Sequence, residues 1–257
     1  MIHRLLALAA LLCAGAARGQ TMLDQEERLI ELHSLLLALP ALQAPGGLAS
    51  GEATVGLELV AIPTIDGTTG GKRQITASDR TRAFPRPRLA LGLAGPAGTR
   101  AILGLAYVPP VAVNDVTSHQ GALEVGLARA LGPVWLGLRG QVVYGRSRSP
   151  VTDPATRDTL TTWIAGADLS AGWPFQAFGL RATPYASVGV ARVAGDFRVT
   201  SDGYLLRSRT TDLSLGAGLR VALPGRLDAA AELVGYPGRL VHPSFRLAWA
   251  PDLGWSR

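Results

Sequence analysis

Between residues 52 and 249, ten successive segments carry apolar side chains at every second position, and a period of two held that long confines the chain to antiparallel β-structure. The segments fall at about 52–62, 87–94, 100–108, 120–131, 134–145, 161–173, 178–192, 207–223, 226–235 and 240–249. One parity holds Val55, Leu57 and Leu59, then Leu89, Leu91 and Leu93, then Leu123, Val125 and Leu127, and so on to Phe245, Leu247 and Trp249. The other parity mixes charges of both signs: Arg88, Arg100, Arg139, Arg181, Arg220 and Arg246 against Glu58, Glu124, Asp168, Asp212, Asp228 and Glu232. Glycines such as Gly92, Gly104, Gly137, Gly166 and Gly189 stand among them. Glycine weakens a strand, so a water-washed face has no need of it, whereas a crowded interior uses small residues to let guanidinium and carboxylate meet. The polar parity is therefore assigned to an enclosed lumen and the apolar parity to the outside.

The connections alternate in length, as a barrel with one short-turn end and one long-loop end requires. The short ones are Gly95 to Gly98, Leu131 to Pro133, Trp173 to Phe178 and Pro224-Gly225; the long ones are Thr64 to Phe84, Pro109 to His119, Arg146 to Leu160 and Ala194 to Leu206. Gly235 to Arg239 is shorter than its side predicts. An even strand number then puts both chain ends at the short-turn end. Tyr107, Tyr144 and Trp163 fall toward the long loops and Trp173, Phe178 and Trp249 toward the short turns, the spacing of two interfacial aromatic girdles. Trp135 falls on the polar parity, at the rim or across a slip of one residue in register.

Ahead of the strands, His3 and Arg4 precede an apolar run from Leu5 to Ala17, and Ala17-Arg18-Gly19 offers small residues at a cleavage point before Gln20, which reads as a secretory signal over 1–19. The only cysteine, Cys13, lies inside it, leaving no disulfide or thiolate chemistry beyond it. Met22 to Leu39 has helical periodicity, with Leu29, Ile30, Leu32, Leu36 and Leu39 on one side and Gln25, Glu26, Arg28, Glu31 and Ser34 opposite; Pro40 stops it. A leucine face has no partner in a polar lumen, so residues 20–48 are expected to form a periplasmic amphipathic helix and linker, docked on a rim or on a periplasmic partner. The barrel then occupies 49–257.

Signal, alternating strands, unequal connections and the ending Ser244-Phe245-Arg246-Leu247-Ala248-Trp249 together resemble bacterial outer-membrane β-barrel proteins over about residues 50–250. The likeness is of architecture and singles out no subfamily. It implies an all-β fold, an antiparallel up-and-down transmembrane β-barrel of about ten strands preceded by a short N-terminal helix, in the outer membrane. It also implies a barrel-assembly machinery that reads an aromatic in the last strand, here Trp249, although Pro251 to Arg257 follow it.

Chemistry is sparse. His242 and Ser244 share the polar parity of the last segment, with Glu232 across the preceding hairpin, and a His-x-Ser pattern of this kind occurs in some outer-membrane lipid hydrolases. His33 and His119 have no partner at metal-ligand spacing, so no metal or cofactor is expected. No basic run with interleaved aromatics points to nucleic acid. Loop arginines, Arg80, Arg82, Arg146 and Arg148 among them, suit phosphates of lipopolysaccharide. The expected role is that of a structural protein or narrow pore with a charge-paired lumen. Two alternatives remain open: a hydrolase using His242 and Ser244, and a soluble exported barrel or sandwich with its leucines inside.

Overall fold

The computed structural model describes residues 22–61, 68–69, 72–73, 83–113, 116–150 and 155–251. The signal assigned to 1–19, the loop residues Arg80 and Arg82, and the tail beyond Pro251 lie outside them.

Ten antiparallel strands close into one barrel. We number them β1 (Ala53–Ala61), β2 (Ala83–Ala94), β3 (Arg100–Val113), β4 (Val116–Leu131), β5 (Val134–Ser149), β6 (Asp158–Gly172), β7 (Leu180–Arg198), β8 (Leu205–Leu223), β9 (Leu227–Tyr236) and β10 (Leu240–Trp249). Each pairs with its sequence neighbour, and β1 pairs with β10 from Val55↔Trp249 to Val60↔Ser244 to shut the ring. Tight turns fit the short connections: Ala97-Gly98, Phe178-Gly179 and Gly225-Arg226 each hold two successive residues at positive φ, the geometry that matches strand twist in a two-residue hairpin. The sixth connection departs from expectation, since Phe175–Ala177 forms an extra three-residue strand against Leu180–Ala182 before that turn.

The long connections after β3, β5 and β7 are shorter than the sequence suggests because the strands outrun the apolar pattern. Near Pro109-Pro110 the β3–β4 ladder shifts register between Val108 and Val111, since proline cannot donate to it, and then resumes to Val113↔Val116. β4 and β5 reach 16 residues and β7 and β8 reach 19, whereas β1 has 9 and β9 and β10 have 10. About 9–11 tilted residues cross a bilayer, so the wall from β3 to β8 stands beyond it on the long-loop side.

Orientation follows the assignment by parity. Leu57 is 47% exposed and Leu215 42%, while Glu58 is fully buried and Glu124 nearly so. A wall whose apolar parity turns inward, the mark of a soluble barrel or sandwich, is thereby excluded. Trp163 and Trp173 bracket the apolar band on β6; at about 3.3 Å per residue and a tilt of about 40°, the stretch between them rises roughly 25 Å, the height of a lipid-facing belt.

The helix is not where the sequence was expected to put it. α1 (Met22–Leu35) and the segment that follows it lie inside the barrel, with Ile30, Leu32, Leu35, Leu36, Leu39, Leu42 and Leu48 buried. Ile30 and Ser34 lie against Gly195 near the long-loop end of β7, and Pro45 lies against Gly137 and Gly172 at the short-turn end. The segment thus traverses the lumen and emerges beside β1. The starts of β1 and the end of β10 do share the short-turn end, but α1 sits at the opposite mouth.

The leucines are accommodated because the inward parity changes character with height. One ring of paired residues, Ala106, Ala122, Val143, Ile164 and Val193, faces inward and packs with Leu32, Leu35, Leu36 and Leu39. In the next ring toward the long loops, a Cβ on Gly145 would stand 2.5 Å from Leu37 Cδ1, and one on Gly195 would stand 2.5 Å from Ile30 Cγ2. These glycines are hollows for the plug. Gly195→Leu is expected to cost about 1–3 kcal/mol by overpacking, read as a lower temperature for loss of the compact band in heat-modifiable gel mobility. Gly203→Leu, where nothing stands near the added carbon but φ is +74, changes a loop only and should leave α1 docked.

Candidate functional site: the occupied lumen

Below α1 the chain from Leu36 to Gly47 has no strand partner, and its backbone must find hydrogen bonds in a space closed to bulk water. The barrel wall supplies them from side chains. Arg86 donates to Leu37 O (3.2 Å) and Ala38 O (3.3 Å), Arg139 to Leu39 O (3.1 Å), Arg88 to Pro40 O (3.0 Å) and Ala41 O (2.9 Å), and Arg100 to Gly46 O (2.8 Å). Gln120 adds a bond to Leu37 O (2.7 Å), and Gln141 Oε1 accepts from Leu39 N–H (3.0 Å). Leu42 N–H donates to Glu232, holding a leucine in the left-handed region at φ +43. Five consecutive carbonyls, 37 to 41, are each taken by an arginine.

The carboxylates hold those arginines in place. Glu58 pairs with Arg86 and stands 3.6 Å from Arg88; Arg88 bonds Glu124 at 2.5 Å; Arg139 bridges Glu124 (3.3 Å) and Asp168 (2.7 Å). The six groups on β1, β2, β4, β5 and β6 form one chain of alternating sign, and burial removes competing water, which strengthens each link. A second cluster joins Asp228 to Arg220 (2.5 Å) and Arg246 (2.8 Å) at the short-turn end. A third, at the other mouth, joins Arg239 of the β9–β10 turn to Asp212 (3.3 Å) and to Glu31 of α1 (2.5 Å). Ser34 and Thr162 hydroxyls meet at 3.0 Å beside it.

Eleven of the twelve charges assigned to the lumen from sequence lie among these contacts: Glu58, Arg88, Arg100, Glu124, Arg139, Asp168, Asp212, Arg220, Asp228, Glu232 and Arg246. Arg181 does not. It is exposed at the short-turn start of β7, where the lumen has ended, so parity alone misplaced it. Arg86 escaped sequence reading because the second segment reads as a strand only from residue 87 onward, one residue past it; Pro85 and Pro87 on either side point outward, where their missing N–H groups leave the inward arginine undisturbed. Trp135 keeps its inward register: Arg100 lies over its ring at 4.5 Å, and Gly46, at φ +73, is the only residue type whose backbone can approach that ring so closely.

The aromatics stand as follows. Tyr107, Tyr144 and Trp163 lie in one register row on β3, β5 and β6, and the Tyr144 and Trp163 rings meet at 4.7 Å. Trp173 and Trp249 are exposed near the short turns, and Phe178 is fully exposed at a turn tip rather than on the wall.

His242, Ser244 and Glu232 do face one another's strands in the lumen, since Glu232 pairs with Ser244 and Val234 with His242. They do not form a relay. Among the described residues, neither ring nitrogen of His242 nor the Ser244 hydroxyl has a hydrogen-bond partner, while Glu232 is engaged by Tyr185 (3.2 Å) and Leu42. His242 instead stacks near Tyr236 at 7° between planes. Nucleophilic hydrolysis needs a base touching its nucleophile and a substrate path, and the linker covers this wall.

Removing Arg139 leaves Glu124 short of one partner and Asp168 of the one ion pair it makes among the described residues. Arg139→Ala is expected to lower stability by about 3–5 kcal/mol, and Arg181→Ala by less than about 0.5 kcal/mol, both measured by urea unfolding of the micelle-folded protein.

No family model matches the sequence, and no curated relative does. Solved structures do match in fold. An outer-membrane channel from Pseudomonas putida F1 superposes with a TM-score of 0.50 at 10% identity, covering 83% of this chain and 100% of that one. The translocator domain of the autotransporter NalP from Neisseria meningitidis gives 0.45 at 11% identity over 88% and 94%, and the β-domain of the Bordetella autotransporter BrkA gives 0.42 at 14% over 80% and 100%. With a closed ring of ten antiparallel strands, leucines outward and ion pairs inward, this chain has the fold of the bacterial outer-membrane β-barrels.

Proposed function

We propose that this chain is an integral outer-membrane barrel shut by its own N-terminal segment, a structural protein whose narrow pore conducts only when that segment leaves. One observation carries the reading: the wall arginines spend their donors on the carbonyls of residues 37–41 and 46. A permanent solute path would leave such groups facing water along an open axis. Here the axis is filled by backbone, and the charges that sequence analysis expected to pair with one another pair with the plug as well. The final strand ends on Trp249, which pairs with Val55 and Leu227 and supplies the aromatic that assembly machinery would read.

Planar-bilayer recording tests the proposal. Full-length protein should insert with little or no steady conductance, whereas a variant lacking residues 22–48 should open a persistent one. Because that deletion also strips the lumen of partners, a second variant keeps the chain whole: Ser34→Cys with Thr162→Cys, placed where the native oxygens are 3.0 Å apart. Oxidised, it should form an intramolecular disulfide and stay silent even under conditions that open the wild type. Equal conductance of full-length and deleted forms, or failure of the pair to cross-link, would overturn the occluded reading.

A further inference from the structure

The contacts of the plug fix which residues point away from it, and on the long-loop half of the wall those residues include six arginines. Gly145, Thr162, Gly195 and Ser208 all touch the plug and so face inward. Their neighbours face out: Arg146 and, one step on, Arg148 of β5; Arg192 and Arg198 of β7, by the same alternation; and Arg207 and Arg209 of β8. β5 to β8 are consecutive in the ring, so these side chains share one patch.

Register sets their heights. Arg209 lies in the row of Tyr144, Trp163 and Ala194; Arg192 lies one row toward the membrane centre, level with Val142, Ala165 and Thr211; Arg146 and Arg207 lie one row beyond the aromatics, level with Thr161 and Asp196; Arg148 and Arg198 lie one row further, level with Thr159. Rows two residues apart on a tilted strand differ by about 5 Å in height. The patch therefore spans roughly 15 Å and begins within the aromatic girdle.

Three features make this more than solvated surface. The sole acid in these rows among the described residues, Asp196, is matched to Arg209 at 2.7 Å, which leaves five cations over. Arg146 Nε is buried with no hydrogen-bond partner among the described residues. The opposite wall carries no outward charge at all on its described residues: β1, β2, β9 and β10 present Ala61, Leu59, Pro85, Pro87, Val241 and Pro243 at the long-loop half. A protein that only needed solubility would distribute its charge around the rim.

We infer that the outer wall of β5–β8 binds the phosphorylated headgroup of a lipopolysaccharide molecule in the outer leaflet. Acyl chains would lie along Val142, Ala165 and Val190, the sugar against Tyr144 and Trp163, and the phosphates among Arg146, Arg192, Arg207 and Arg209, whose planar forks accept two oxygens at once. Thr159 and Thr161 add hydroxyls between the flanking arginines. The site rests on the outer-membrane reading and relocates the phosphate contacts from the loops to the strand wall.

The test uses full-length protein folded in detergent and titrated with bisphosphorylated lipid A, dephosphorylated lipid A or inorganic phosphate, with bound lipid counted by native mass spectrometry. Wild type should retain bisphosphorylated lipid A, and Arg146→Gln/Arg148→Gln/Arg192→Gln/Arg207→Gln should retain it roughly tenfold less or weaker still. Arg129→Gln, an outward arginine at the other end of β4, should bind as wild type. Heat-modifiable mobility checks that each variant is folded; should the quadruple variant misfold, Arg146→Gln with Arg207→Gln is read instead, expecting a smaller loss in the same direction. Equal retention by a folded variant, or equal binding of dephosphorylated lipid A, overturns the site, and displacement by inorganic phosphate at matched concentration overturns the lipid as its occupant. Failure of the wild type to insert into bilayers would strike the membrane reading itself, which the lipid titration in detergent does not measure.

Discussion

The backbone of residues 37–46 is the constraint around which the barrel is organised. A carbonyl enclosed without a partner forfeits the hydrogen bonds it had in water, at about 1–3 kcal/mol each, and an extended segment inside a ring of strands has no ladder to join. Arginine solves this with a fork that serves two acceptors, so Arg86 takes residues 37 and 38 and Arg88 takes 40 and 41. A buried guanidinium then demands its own counter-charge, which calls for Glu58, Glu124 and Asp168 on the neighbouring strands. Small residues follow in turn: a Cβ on Gly104 would strike Glu124 and one on Gly189 would strike Asp168. Linker, arginine, carboxylate and glycine form one dependency running from the axis to the wall.

Above that zone the same barrel uses different physics. The helix brings most of its own backbone bonds and is held mainly by packing, with Glu31 and Ser34 as its polar ties to Arg239 and Thr162, so the lumen carries an apolar ring beside Leu32 to Leu39 and arginines where the chain unwinds. The changeover is visible at residues 36–38, where Leu37 N–H bonds Ser34 O and Ala38 N–H bonds Leu35 O in a tightened last turn. From there Gln120 and Arg86 capture the carbonyls of Leu37 and Ala38, and helical bonding ends at Ala38, two residues before Pro40.

The strands were legible in the sequence because lipid and lumen impose opposite demands on alternating positions, and residues such as Leu57 and Glu58 record them one after the other. Parity also located the paired charges on β1, β2, β4, β5 and β6. It failed where one face carries two chemistries. Ala106, Ala122, Val143, Ile164 and Val193 are inward and apolar, so the segments around them lose their contrast; read together as one height in the ring, they would have announced a greasy occupant, and the leucines of residues 30–39 were at hand. Arg181 failed for a related reason, since alternation continues past the point where the lumen ends. What links a side chain to a height in the barrel is register between strands, and a single sequence holds that only weakly.

Ile30 lies near one mouth and Leu48 near the other, joined directly to β1, whose far edge must meet β10 to complete the ring. Wall and plug are one continuous chain, so whatever clears the lumen must break the arginine bonds to residues 37–41 while Leu48 stays tethered a few residues from β1: the plug can be displaced without being lost.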